Sequence, residues 1–279
     1  MSALEPLEDD ERGLVQAHGL TPGQIAFRRG IRSSFRGLAA QEFAEDPESC
    51  FLASGECVFD LSAIERRLAS CGEPVESRDN GRLLIWLPAT KRPPRSPAAA
   101  HQYVIGVDPA GGGALGDYAC AQVIERLSGV QCAELHGHFT PQELAARVAD
   151  LAWEYNRALV AVERNNHGHA VLAHLVRAEH YENLYEHASQ LGWLTSAATR
   201  PALIENFAAI LGEAAGLFSS RRLLGECRTF VRHVDGSSAA ASGAYDDCVM
   251  AMAIALMVRS HLVGNRSRIG NLELTSLPR

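Results

Sequence analysis

The chain has 279 residues, 47% hydrophobic and 21% charged, which is enough apolar material to bury a core and excludes wholesale disorder. A formal net charge of −7 excludes a protein that coats nucleic acid by bulk charge, yet a cluster of metal-binding carboxylates is itself acidic and is compatible with it. The 7 cysteines are odd in number and form no C-x-x-C pair, and no apolar run is long enough to span a bilayer, so a disulfide framework, a structural zinc motif and a membrane span are not expected.

Residues 1–20 are polar and acidic, lack the apolar region of a signal peptide, and read as a disordered end. The expected location is therefore the cytoplasm. Residues 21–97 read as a lead-in and linker segment. Thr21 and Gln24 have capping-box spacing with Pro22 at the first helical position, so a helix is predicted over 21–40. Its Arg28, Arg29, Arg32 and Arg36 form either a solvated face or a contact to DNA phosphates or a partner. A short helix is expected at Leu61–Ala69 and a strand at Leu83–Leu87. The proline-rich, basic stretch 88–100 has linker composition.

Residues 98–263 read as one α/β domain, followed by a tail over 264–279. Tyr103–Val107 is a buried strand ending at Asp108. Tyr118–Glu125 and Val130–His136 are strands joined by a tight turn at Ser128–Gly129. Helices are predicted from Thr140–Pro141, over His167–Ala178, over Pro201–Ala215 and at Leu223–Val231, with a short buried strand at Leu159–Val162. Residues 235–244 read as a flexible small-residue loop. The last helix, Asp246–His261, is apolar nearly all round and should be buried.

Three acidic positions share one feature. Asp108 ends the first strand, Glu163 ends the strand Leu159–Val162, and Asp246 and Asp247 begin the buried last helix. Strand ends of open α/β sheets are where ligands collect, and acids there are costly unless paired or metal-bound. Converging carboxylates raise one another's pKa, and hard divalent cations relieve that repulsion. Taken singly, Asp108 can simply end a strand, Glu163 can pair with Arg164 or Arg200, and the Asp246–Asp247 pair can cap a helix. Taken together they predict an Mg²⁺ or Mn²⁺ site, with two ions clamping a phosphodiester. Asp117 is either an accessory ligand or a turn residue. Asn165, Asn166 and His167 are candidate DNA contacts at a helix start; their spacing from His169 fits zinc poorly.

The strand Tyr103–Asp108 followed by P-A-G-G-G-A-L-G-D, then V-A-V-E-R-N-N-H-G, then A-Y-D-D-C-V-M-A-M-A-I-A-L, resembles the nuclease domain of the large terminase subunit of tailed phages. The earlier stretches L-T-P-G-Q-I-A-F-R-R-G and Q-E-F-A-E-D-P-E-S-C-F-L-A-S-G-E-C-V-F-D resemble that family's join between ATPase and nuclease. The resemblance implies a ribonuclease H-like fold, a mixed five-stranded sheet flanked by helices. It implies a DNA endonuclease that cuts concatemeric phage genomes for packaging, with Asp108, Glu163, Asp246 and Asp247 as metal ligands. A basic residue of the family corresponds to Arg200, a candidate DNA contact, and Tyr245 stands where the family often has His. The chain has no G-x-x-x-x-G-K-[ST] loop, so no ATP site is expected. The implied partners are double-stranded DNA and a separate terminase ATPase, small subunit or portal. The alternatives are a junction-resolvase or transposase-like nuclease, an actin-like ATPase, and an inactive prophage remnant.

Overall fold

The computed structural model describes residues 6–35, 56–90, 102–112, 117–233 and 236–274. Helix α1 spans Asp9–His18, in the stretch expected as a disordered end, and α2 spans Pro22–Phe35. Thr21 and Gln24 form the expected reciprocal cap of α2: the Thr21 N–H donates to Gln24 Oε1 at 2.8 Å and the Gln24 N–H to Thr21 Oγ1 at 3.4 Å. Two of the α2 arginines are not a bare solvated face. Arg29 pairs with Glu11 of α1 at 2.5 Å and Arg28 lies 3.8 Å from the same carboxylate. Arg36 and residues 37–55 lie outside the described residues, as does most of the 88–100 linker.

The chain then runs through β1 (Glu56–Cys57), α3 (Leu61–Ser70), β2 (Glu76–Arg78) and β3 (Leu83–Ile85). The central elements follow as β4 (Tyr103–Asp108), β5 (Ala119–Glu125), β6 (Gln131–Gly137), α4 (Pro141–Glu154), β7 (Leu159–Val162) and α5 (Gly168–Arg177). A small hairpin, β8 (Glu186–His187) and β9 (Gln190–Leu191), precedes α6 (Arg200–Ala214), α7 (Arg221–Arg228), β10 (Phe230–Arg232), β11 (Ser238–Ala240) and α8 (Asp247–Leu274).

The main sheet is mixed and has 6 strands in the order β2-β3-β6-β5-β4-β7. β4 pairs antiparallel with β5 and parallel with β7, as the ribonuclease H-like expectation requires. The sheet exceeds five strands because the hairpin of residues 76–85 adds to the β6 edge. Residues 56–90, expected in the lead-in, therefore share the sheet and core of the residues after 102. β1 also pairs with β10, and Phe59 packs edge-to-face on Phe207 and Phe230, with centroids 4.9 and 5.7 Å apart.

Helices cover both faces of the sheet. Ile105 and Val107 pack with α4 and α5 in one apolar cluster, while Val104, Cys120 and Ile124 pack with α8, α6 and α7 in the other. The period of two along β4 thus sends Gly106 and Asp108 to the α8 side with Val104. Gly106 is what lets α8 in: a Cβ there would run into the Ala251 carbonyl oxygen and lie 2.6 Å from the Ala255 nitrogen. Two further differences concern β10 and β11. The helix expected over Leu223–Val231 stops at Arg228, and the expected loop 235–244 contains a strand paired with β10. The last helix runs past His261 to Leu274. No described helix is long and apolar enough to cross a membrane.

Candidate active site

β4 and β7 are parallel neighbours with Val107 opposite Val162, so the next residues, Asp108 and Glu163, stand side by side at the same end of the sheet. The Glu163 N–H donates to the Val107 carbonyl at 2.9 Å and fixes that register. The turn after Glu163 is tight. Gly168 sits against the Glu163 carbonyl, where a Cβ has no room. Asp247 is the first residue of α8, whose buried face packs on β4 and β5, and this brings the helix start to the strand ends.

The electrostatics show that these acids converge. Burial pushes the Asp108 carboxyl well above the usual range, and the charges of Glu163, Asp247 and Asp246 and a hydrogen bond with the Glu163 carboxyl add to the rise. Burial also pushes Asp247 up to about 7, helped by Asp246 and Asp117. Asp117 is exposed, just before β5, and its negative charge reaches the site.

The two members of the aspartate pair have different surroundings. Asp246 is half-buried and accepts a hydrogen bond from Arg200 Nη2 at 2.9 Å. Asp247 is buried, and its Oδ2 has no hydrogen-bond partner among the described residues. A buried carboxylate oxygen without a donor is what an oxygen-ligated cation would satisfy, so the donor set fits a hard divalent ion. Arg200 starts α6, and its Nε also donates to the Ser238 carbonyl at 3.2 Å. It pairs with Asp246, and Arg164 points away, its Nη1 donating to the His187 carbonyl at 3.5 Å.

The other sequence candidates flank the acids. Asn165 Nδ2 donates to the Thr195 carbonyl at 2.7 Å and lies 3.5 Å from Glu163 Oε1, which holds the Glu163 turn in place. Asn166 is exposed with φ of 42°, a left-handed turn position that asparagine tolerates better than most residues. His167 precedes the first residue of α5 without a side-chain capping bond, and its imidazole lies over Gly111, in the loop that follows Asp108.

Glu226 escaped the sequence reading. It projects from α7 under the first turn of α8, where its Oε2 accepts the Cys248 N–H at 2.8 Å and the Val249 N–H at 3.1 Å. These bonds satisfy two of the donors a helix start leaves open. Burial pushes Glu226 up to about 8 even though both α8 contacts favour its charged form. The signal was present in R-R-L-L-G-E-C-R: Glu226 shares a helical face with the buried Leu223 and Cys227, an odd place for a carboxylate without a task.

A family model described as the terminase RNaseH-like domain matches residues 105–259 of this chain. Among solved structures, the magnesium-bound large terminase nuclease of thermophilic phage G20c is similar in fold, with 21% identity and a TM-score of 0.52 over 70% of this chain and 96% of that one. The cobalt-bound form of the same nuclease aligns with 22% identity, a TM-score of 0.52 and the same coverage. No curated protein matches the chain.

Proposed function

The chain belongs to the terminase ribonuclease H-like family, and from that premise we propose that it is a metal-dependent DNA endonuclease that hydrolyses phosphodiesters with two divalent cations. The observation that carries this reading is the convergence of Asp108, Glu163 and Asp247, with the Asp247 Oδ2 buried and unpartnered. Oxygen ligands of this kind favour Mg²⁺ or Mn²⁺ over softer-site metals. Bound there, such cations would lower the pKa of a coordinated water and neutralise charge building on the leaving oxygen.

The chain's own residues divide the remaining work. Asp108 and Glu163 present their carboxylates from rigid, adjacent strand ends. Asp247 supplies the principal helix-borne ligand, and Asp246, oriented by Arg200, supports it. Asp117 is an accessory acid at the rim. Asn165 holds the turn that aims Glu163, and His167 and Asn166 border the path of the DNA strand. Arg200 is a positioning residue for Asp246 rather than a free phosphate contact. In this reading the substrate is double-stranded phage DNA in the bacterial cytoplasm, and cutting is coupled to a packaging ATPase, small subunit and portal.

The test is nicking of supercoiled plasmid by the purified chain with Mn²⁺ or Mg²⁺, against the same chain with Asp108→Asn. Cutting that needs the metal and falls at least about a hundredfold in the variant supports the proposal. Plasmid that stays intact across metals and salt concentrations overturns it.

A further inference from the structure

Behind the carboxylates lies a second set of ligand-type side chains, drawn from four different elements. Cys248 follows Asp247 directly, and Cys120 is the register partner of Asp108 across β4 and β5. Both thiols are buried, and each affects the other's ionisation. His136 lies opposite Cys120 on β6. Glu226 comes from α7, and its carboxylate accepts the Cys248 N–H. One ligand atom each of His136, Glu226 and Cys248 lies within 4.8 Å of the other two.

The group is reachable. His136 and Glu226 line a cavity of about 380 Å³ that is also bounded by Tyr118, Arg222 and Tyr245. A cation entering there meets the imidazole and the carboxylate first, with the Cys248 sulfur behind them. We propose that His136, Glu226 and Cys248 form a binding site for one Zn²⁺, with its fourth position open to the cavity, separate from the carboxylate site.

The chemistry of the donors selects the ion. A mixed nitrogen, sulfur and oxygen set suits Zn²⁺ and is a poor match for Mg²⁺ or Mn²⁺. Zinc bonds of roughly 2.0–2.3 Å place tetrahedral ligands about 3.5 Å apart, so the side chains close by about 1 Å around the ion. The donors can do so. Both backbone hydrogen bonds to Glu226 end on Oε2, which leaves Oε1 to turn towards a cation. Arg222 and Arg228, which also line the cavity, are engaged by Glu134 at 2.6 Å and by Glu65 at 3.6 Å. The site also explains why no cysteine spacing betrays it: its ligands come from β6, α7 and α8, and only folding brings them together. An ion there would tie the first turn of α8, which carries Asp247, to β6 and α7.

The test does not depend on nuclease activity. The full chain, stripped with a chelator, is titrated with Co²⁺ and followed by the thiolate-to-cobalt charge-transfer band, which carboxylates cannot produce. The expected band saturates at one Co²⁺ per chain, is displaced by Zn²⁺ and withstands excess Mg²⁺. Cys248→Ser should lose it, and His136→Ala should weaken Co²⁺ binding about tenfold or more. Glu163→Gln, in the carboxylate site, should leave it unchanged. If Cys248→Ser fails to fold by circular dichroism, His136→Ala and Glu226→Gln decide the matter. A folded wild-type chain without the band overturns the proposal, and so does a band that His136→Ala and Glu226→Gln both leave at full strength.

Discussion

Asp247 shows most clearly what the site costs the fold. Its carboxyl rises from an ordinary 3.8 to about 7, through burial first and then the charges of Asp246 and Asp117. A carboxyl with a raised pKa in the folded state holds its proton longer than the unfolded chain does. The Asp247 contribution to stability without metal should therefore fall as pH rises from about 4 to 7, while His136, pushed down to about 3 from 6.5, contributes in the opposite sense. Asp108, raised by burial and the same neighbours, pushes in the same direction as Asp247. Chelator-treated wild type should lose melting temperature relative to chelator-treated Asp247→Asn across that window, and Mg²⁺ should restore most of that loss at pH 8. Asp247→Asn removes the penalty, so this variant should melt higher than wild type at pH 8 without metal, gain less from Mg²⁺, and lose cutting. A melting-temperature gap between Asp247→Asn and wild type that does not widen from pH 4 to 7 without metal would contradict this account. Within the acidic pair, the Arg200 bond to Asp246 and the unpartnered oxygen of Asp247 predict that Asp247→Asn cuts more slowly than Asp246→Asn. Arg200→Ala should resemble the milder of the two, with Arg200→Lys recovering part of the rate. Equal rates for the two aspartate variants would remove the distinction.

At the scale of elements, the site depends on how closely α8 approaches β4. Gly106 sets that distance, because any side chain there meets the backbone of α8 at Ala251 and Ala255. Gly106→Ala should cost about 1–3 kcal/mol by forcing strand and helix apart, and it should slow cutting by shifting Asp247 away from Asp108. Urea unfolding against a plasmid-nicking rate measures both, and an unchanged midpoint would show that the contact yields easily. Elements of this kind were readable in the sequence, because β4, β5, β6 and β7 are apolar runs bounded by turns, and each carries its own signal. Asp108, Glu163 and the Asp246–Asp247 pair could be picked out for the same reason, since each interrupts such a run at its end. The illegible parts rely on distant partners. Phe230–Arg232 continues an amphipathic helical pattern and becomes a strand only because β1, some 170 residues earlier, pairs with it. Ser238–Ala240 has little strand propensity of its own and is held by β10. The separation of roles between Asp246 and Asp247 was equally hidden, because it depends on Arg200 arriving from α6.

For the whole molecule, the same long-range pairing makes the proline-rich stretch before β4 a poor place to divide the chain. A fragment beginning at residue 98 would lack β1, α3, β2 and β3. It would uncover the β6 edge that β3 pairs with and the rings of Phe207 and Phe230 that Phe59 covers. An exposed strand edge invites association, and loss of one buried phenylalanine alone costs about 3–5 kcal/mol, a large part of the 5–15 kcal/mol that holds a typical domain together. The fragment from residue 98 should therefore aggregate or melt far below the full chain. A fragment from residue 56, which keeps β1 through β3, should keep the oligomeric state of the full chain and melt close to it. Phe59→Ala in the full chain gives an independent measure and should lower the melting temperature substantially while leaving the carboxylates in place. Size-exclusion chromatography and thermal melts of the three proteins distinguish the cases. A monomeric fragment from residue 98 that melts with the full chain would mean that the early strands decorate the sheet without supporting it. The acids of the active site would then stand on β4, β5, β7 and α8 alone.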